Sequence, residues 1–386
     1  MLKYLIIGDA SSMHIYNYIK NVLLPCNFDV HLMTLSIRPV RAEYAEFYKI
    51  NNVKVYSVAD KGYKDLEKID KFHRLKNLFR KISLAKSIPD CDICHIHSVY
   101  KTSLHLYLQN KRKFKKLILS YWGGDIEDTK KSVVRLREKC FHYADAITVT
   151  VQQTYNDFIN LYGNKYNEKL SICRFATEGL ECIVKLSKTA TREECRSFYG
   201  VKKDEICITC GYSAYAAQHQ DLCLRMINSL DFEIKKKLHV IVPMQYGRFD
   251  EQYIDAVYNI SKECDFKCTI LEEFLPFEDS AKLPIATDIY LHLRDTDAFS
   301  NALKEHVLAK SRIIIGSWLK YPELEQMKAD VEYINALDDL TEKLNEMLQT
   351  IVVRNDIVLF MPIYEMYSTE NVKNQWLSLI NSMIHI

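Results

Sequence analysis

Short apolar runs recur along this chain at intervals of about 25–30 residues, each closed by small or polar residues and followed by a stretch with helical periodicity. In the first half these runs occupy 3–7, 28–33, 53–56, 92–97, 117–122, 144–150 and 170–176. The second half restarts the pattern at 205–210, 238–243, 266–271, 289–293, 313–315 and 331–334. Strand alternating with helix predicts two doubly wound α/β domains. The length of 386 residues suits two such units. Residues 178–188 are expected to connect them, and the tail from Thr369 to Ile386 reads as an amphipathic helix with Val372, Trp376, Leu379, Ile380 and Met383 on one face. The expected boundaries are 1–182, 183–368 and 369–386.

The stretch from Thr287 to Trp318 is the most informative. It reads as strand, polar turn (Arg294-Asp295-Thr296-Asp297), helix and strand, which is one βαβ unit. Such a turn and helix start lie at the carboxyl end of a parallel strand, where open α/β sheets bind ligands. Asp297 and Glu305 stand eight residues apart, about two helical turns. They are expected on one side of the helix, Asp297 at its start, with Ser300 and Asn301 at its N-terminus.

Other strand ends carry candidate chemistry. Gly8, Ser11, Ser12 and His14 form the first strand-to-helix turn, which is either a ligand loop or a simple tight turn. His97 ends another strand and has a structural reading as well. In Trp122-Gly123-Gly124-Asp125 the two glycines permit close backbone approach. Asp125 is either an acceptor of a proton or a helix cap. The second half opens with Gly211, Tyr212 and Ser213, followed by Gln218 and His219, a turn of the type that cradles phosphate with backbone N–H groups. Arg248 follows the strand at 238–243 and is either a ligand cation or a surface arginine. Phe274 and Leu275 follow the strand at 266–271 and suit either an apolar ligand contact or core packing.

Charge changes the picture. Residues 1–185 hold 30 Lys and Arg against 19 Asp and Glu, whereas the remainder holds 22 against 31. A basic half suggests an anionic partner for it. Residues 71–86 read as a basic amphipathic helix, suited to an anionic membrane surface or to a core with a solvated basic face, and 111–116 add a second basic cluster. No nucleic-acid-binding module is visible, so nucleic acid is not an expected partner. The chain begins directly with a strand and has no 18-residue apolar run. It is therefore expected in the cytoplasm, free or peripheral on the inner face of the cytoplasmic membrane. The Cys91/Cys94 and Cys207/Cys210 pairs lie in strands, where residues three apart face opposite sides, so reduced buried thiols are expected.

The Asp297-x7-Glu305 spacing, the WGGDI run at 122–126 and the glycine turn at 211 together resemble glycosyltransferases of the GT-B fold, particularly the GT4-like retaining families. The small-residue turn and the Ile241-Val242-Pro243 strand are also similar to Fuc4NAc-transferase (GT56-type) surface-polysaccharide enzymes. The resemblance implies two Rossmann-like domains facing a cleft, with a C-terminal helix crossing back. It implies transfer of a sugar from a nucleoside-diphosphate-sugar to a saccharide or polyprenyl-linked acceptor in bacterial surface-polysaccharide synthesis, by a metal-independent reaction in which the x7 spacing favours retention. In that reading Asp297 holds the sugar and Glu305 the ribose. Gly211, Tyr212, Ser213, Gln218, His219, Arg248, Ser300 and Asn301 hold the diphosphate side, and Phe274 and Leu275 the base. Asp125, with Gly8, Ser11, Ser12, His14, His97, Gly123 and Gly124, lies on the acceptor side. Tyr212 stands where GT4-like enzymes carry Arg, and Gln218 or His219 where they carry Lys, so Arg248 is expected to supply the missing charge. No resident metal or cofactor is expected, because two Rossmann-like halves argue against a metal role for the DxD run Asp295-Thr296-Asp297. A nucleotide-sugar 2-epimerase and a non-catalytic scaffold of the same fold remain alternatives.

Overall fold

The computed structural model describes residues 1–36, 39–58, 83, 84 and 86–384. Most of the basic helix expected over 71–86 lies outside the described residues. The chain divides into two units, Met1–Ala176 with Thr369–Ile386, and Thr177–Ser368.

Unit 1 is built on seven parallel strands: β1 (Lys3–Ile7), β2 (Asp29–Thr34), β3 (Lys54–Ser57), β4 (Cys91–His97), β5 (Phe114–Tyr121), β6 (Ala146–Val149) and β7 (Leu170–Ile172), in the order β3-β2-β1-β4-β5-β6-β7. Period-two alternation assigns Leu5 and Ile7 to one core and Tyr4 and Ile6 to the other, so both faces of β1 are buried. A hydrogen-bonded chain of buried side chains crosses four strands on one face: Tyr4 Oη lies 2.8 Å from His95 Nδ1, His95 Nε2 2.6 Å from Ser120 Oγ, and Ser120 Oγ 2.6 Å from Thr148 Oγ1. Each of these four side chains thereby has a partner, whereas the neighbouring His97 ring has none among the described residues.

Unit 2 has six parallel strands: β8 (Ile206–Cys210), β9 (Leu238–Pro243), β10 (Lys267–Leu271), β11 (Ile289–His292), β12 (Arg312–Gly316) and β13 (Val331–Ile334), in the order β10-β9-β8-β11-β12-β13. In each sheet the strand order reverses once, between β1 and β4 and between β8 and β11. A crevice opens outside the carboxyl ends of the strands at such a switch point. The turns at Gly8, His97, Gly211 and Arg294 all follow one of these four strands.

Two sequence expectations are corrected. The run at 170–176 is strand only to Ile172, because β6 ends at Val149 and the Arg174 backbone is claimed by the tail. The Arg174 N–H donates to the Gln375 side chain at 2.9 Å, and its carbonyl accepts from the Trp376 indole at 2.8 Å. Residues 178–188, expected to be a connection, belong to a helix of unit 2, Glu178–Thr189. Leu180 and Ile183 bury one face of it, and two acids lie in its first turn with Lys188 in its last, which suits the helix dipole.

The helix Thr369–Ile384 closes unit 1. Trp376 is fully buried, with its ring 4.8 Å from Tyr18 and 5.3 Å from His95. Replacing a buried tryptophan leaves a cavity and an unpaired Arg174 carbonyl. Trp376→Ala should therefore destabilise the protein by about 3–5 kcal/mol in urea unfolding, with Trp376→Phe losing clearly less.

Candidate functional site

Around the β8/β11 switch point, Asp297 gathers side chains from four segments. It follows β11 in the turn, and only 5% of its side chain is exposed. Its Oδ1 accepts from Tyr212 Oη at 3.0 Å. Its Oδ2 accepts from the Ser300 N–H at 2.8 Å and Tyr321 Oη at 2.9 Å, and His292 Nε2 stands 3.2 Å away. Burial alone would raise this carboxyl's pKa. The His292 ring, the Ser300 N–H and the Tyr321 hydroxyl reverse that and hold it well below the usual carboxylate range.

The backbone is shaped to make this possible. Phe299 adopts φ 63° although it has a side chain, and its ring is buried against Tyr321 and Tyr367. A left-handed residue of this size costs about 1–2 kcal/mol, which the packing offsets while turning the Ser300 N–H toward Asp297. Ser300 then caps the helix Asn301–Leu308, its Oγ accepting from the Leu303 N–H. Asp297 thus precedes the helix rather than starting it, which corrects the expected placement. At most one lone pair, on Oδ1, is left for anything else.

Arg294 is the cation of this cluster. Its Nη1 donates to the Tyr212 hydroxyl and lies 3.9 Å from Asp297 Oδ1. The guanidinium sits 5.6 Å from the Tyr212 ring centroid and 5.7 Å from that of Tyr215. Its Nε–H has no hydrogen-bond partner among the described residues. Arg248, expected to supply this charge, instead donates to the Met244 carbonyl at 3.2 Å and lies 3.9 Å from Glu272.

The other expected donor-side residues divide between scaffold and surface. Gly211 has φ 66°, and a Cβ there would crowd Gln218, so the turn requires glycine. Ser213 and Gln218 are buried and bond to each other at 3.0 Å, closing the turn. His219 Nε2 lies 2.6 Å from Asp295 Oδ1. Asn301 accepts from Thr177 Oγ1 at 3.1 Å. Phe274 is 76% exposed, whereas Leu275 packs against the Tyr199–Ala286 cluster. Glu305 lies against the first turn of Glu178–Thr189, where a Cβ on Gly179 would overlap its carboxylate. Burial pushes its pKa up to about 7, with Lys304 opposing. Asp297 and Glu305 therefore engage different partners rather than forming one acidic pair.

In unit 1 the Asp125 carboxylate, 2% exposed, accepts from the N–H groups of Val99 at 2.8 Å, Trp122 at 2.9 Å and Gly123 at 3.1 Å. It fastens the loop after β5 to the loop after β4, which leaves it poorly placed as a base and corrects that expectation. Burial raises its pKa, with these N–H groups opposing. Gly124 has open space where a Cβ would be. Gly8 has no room for a side chain beside Ile15 and His97. Ser11 accepts from the Arg41 N–H at 3.1 Å, and Ser12 precedes the helix Met13–Tyr18. His14 stacks on Phe175 at 4.8 Å. His97 lies 3.8 Å from His95, and burial pushes its pKa down to about 3. In the 111–116 basic cluster, Lys111 bonds Tyr143, Lys113 the Ile88 carbonyl, Lys115 Asp92 and Lys116 Asp145. Those four cations are engaged within unit 1.

Sequence reasoning missed Arg294, His292 and Tyr321. Arg294 stood in the turn that drew notice, masked by the DxD pattern beside it. The histidine inside an apolar strand was a usable signal for His292, and Tyr321 left none.

Residues 3–152 match the family model described as Glycosyl transferase 4-like. A search of curated proteins finds no match. Among solved structures the chain is similar to sucrose-phosphate synthase from Thermosynechococcus elongatus, with TM-score 0.70, 10% identity and 100% of both chains covered. It is similar to Anabaena Alr3699/HepE in complex with UDP and glucose, with TM-score 0.67, 9% identity, and 99% of this chain and 100% of that one covered. It is also similar to α,α-trehalose 6-phosphate synthase from Burkholderia multivorans, with TM-score 0.65, 10% identity, and 100% of this chain and 99% of that one covered. The fold is GT-B, with two parallel-sheet Rossmann-like domains.

Asp297 and Glu305 should leave opposite marks on stability. Asp297 is held ionised below its unfolded value of about 3.9, so its contribution is present above that pH and lost on acidification. Asp297→Asn should lower stability by about 2–3 kcal/mol at pH 7 and remove part of the acid-side slope. Glu305 ionises near 7 when folded but near 4.3 unfolded, so its contribution fades as pH rises through that window. Glu305→Gln should flatten the stability profile between about pH 4.5 and 7, as measured by urea unfolding across pH.

Proposed function

We propose that this chain is a glycosyltransferase that moves a sugar from a nucleoside-diphosphate-sugar, uridine diphosphate being the favoured carrier, to a saccharide or lipid-linked saccharide hydroxyl. The observation that carries this reading is Arg294, a guanidinium held over two tyrosine rings beside Asp297 at the switch point of sheet 2. The glycosyl transferase 4-like match over 3–152 supports it, as do fold neighbours whose structures hold UDP and glucose or UDP-2-fluoro glucose.

In the proposed reaction the bond between the anomeric carbon and the diphosphate oxygen breaks, and the electron pair leaves with the diphosphate. The barrier is dominated by charge developing on that leaving group. Arg294 offsets this charge, aided by the N–H groups of the Gly211 turn and the start of the helix Asn301–Leu308. Asp297 acts as a positioning residue: it fixes Tyr212, and Tyr212 fixes Arg294. The acceptor hydroxyl bonds to the anomeric carbon and its proton passes to the departing diphosphate. With Asp125 occupied by three N–H donors, this route needs no strong protein base, which favours retention. Asp295 is paired with His219 and Asp297 has at most one lone pair to spare, so the DxD run is a poor cation ligand and a metal-independent reaction is favoured.

Unit 1 is assigned the acceptor, and its excess of basic residues suits a phosphate-bearing lipid-linked saccharide at an anionic membrane surface, as in surface-polysaccharide synthesis.

A panel of UDP-, GDP- and dTDP-sugars, with and without saccharide acceptors, tests the reading. Acceptor-dependent nucleotide release is expected, unchanged by EDTA, with the product's anomeric configuration retained by NMR. Arg294→Ala should lower kcat/KM by about 100-fold or more, and Arg294→Lys by less. Arg248→Ala should stay within about threefold, since its guanidinium faces Glu272. An epimerised donor without transfer, or no nucleotide binding at all, would overturn the proposal.

A further inference from the structure

At the opposite end of sheet 2 lies a half-open cavity of about 480 Å³. Five cations line it, Arg192, Arg196, Lys202, Lys203 and Arg354, against one acid, Glu193. It sits at the amino-terminal edge of the sheet: Glu205 precedes β8 and Asp288 precedes β11, whereas Gly211 and Arg294 follow those same strands. A five-residue strand separates the two ends by about 16 Å, so this cavity is not the site described above.

Two of the cations form a rigid wall. Asp288 bridges them, with Oδ1 2.7 Å from Arg192 Nη2 and Oδ2 2.9 Å from Arg196 Nη1. Arg192 also donates to the carbonyls of Ile285 and Arg354, and Arg196 to that of Ala286. Both guanidiniums are under 5% exposed, and the one carboxylate between them leaves an uncancelled charge. The Nε–H of Arg196 has no partner among the described residues.

The remaining three cations are short of anions as well. Arg354 donates to the Ala309 carbonyl at 3.1 Å and has no carboxylate within ion-pair distance among the described residues. Burial and the neighbouring Arg192 lower its pKa, with the more distant carboxylates of Asp288 and Asp330 opposing. Lys202 reaches Glu205 only at 4.0 Å, and Lys203 has no ion pair among the described residues. A cluster of this kind is costly when empty of anions and is stabilised by a multiply charged one. The volume falls in the range of small-molecule sites, and lysines combined with fixed arginines suit a phosphate group.

We propose that this cavity binds a small phosphomonoester, a phosphorylated metabolite of sugar-phosphate size. Lys202, Lys203 and Arg354 neutralise the phosphate, and the fixed Arg192 and Arg196 supply the positive wall behind it. The shared chemistry with a lipid phosphate headgroup is resolved by experiment, and the assignment does not depend on the proposed transferase activity.

Isothermal titration of the full chain with glucose 6-phosphate at low ionic strength is the direct test. Binding is expected, weakened tenfold or more in the double variant Lys202→Ala/Lys203→Ala and unchanged in Arg294→Ala. Both lysines are at the surface, and circular dichroism with a urea titration establishes that the double variant is folded. No binding, equal binding by the double variant, or binding lost in Arg294→Ala alone would overturn the assignment. So would co-sedimentation with phosphatidic-acid vesicles that depends on the two lysines while glucose 6-phosphate fails to bind, since that result gives the site to a lipid headgroup.

Discussion

A buried carboxylate that stays charged is the constraint on which unit 2 depends. Asp297 is surrounded by protein, yet it is held ionised by a histidine, two tyrosines and a backbone N–H drawn from different segments. Removing an ion of this size from water costs several kcal/mol unless its hydrogen bonds are replaced. The replacements here come from the turn after β8, the end of β11, the loop before Asn301–Leu308 and the segment after β12. Those four segments can meet only where the strand order reverses, so the fold and the ion define one another.

The same network explains the position of Arg294. An arginine at a strand end would ordinarily extend into water, and its many rotamers would cost entropy whenever it was used. Tyr212 accepts from it, Asp297 attracts it, and two tyrosine faces flank it. A cation fixed before any ligand arrives needs no reorganisation when charge develops nearby, which is the condition under which electrostatic stabilisation is most effective.

The periodic apolar runs announced all thirteen strands of the described residues, because strands buried on both faces leave a strong and continuous signal. Strand ends were legible at Gly211, where the left-handed turn leaves no room for a Cβ beside Gln218, and in the Arg294–Asp297 turn. The roles of the acids were not. Asp297 and Glu305 are eight residues apart, and spacing alone predicts a shared face. The left-handed Phe299 delays the helix until Asn301 and sends the two carboxylates to different partners. Asp125 was open to two readings, a proton acceptor or a cap, and its structural role depends on the distant Val99 N–H, which joins those of Trp122 and Gly123 in its own loop. Hydrogen bonds between distant segments carry no local pattern, so the contacts of Tyr321 with Asp297 and of Arg294 with Tyr212 were invisible.

The two ends of sheet 2 treat buried charge in opposite ways. At the carboxyl end one carboxylate is over-supplied with donors, and the cation beside it retains an unpaired N–H. At the amino end one carboxylate, Asp288, serves two arginines, and further cations gather around them. The amino-end arrangement leaves local positive charge uncompensated, although the whole of the chain after residue 185 carries more acids than bases. Excess positive charge concentrated in an acidic region is not accounted for by bulk composition or by solubility. It costs stability through desolvation and mutual repulsion, a cost that a bound anion would offset.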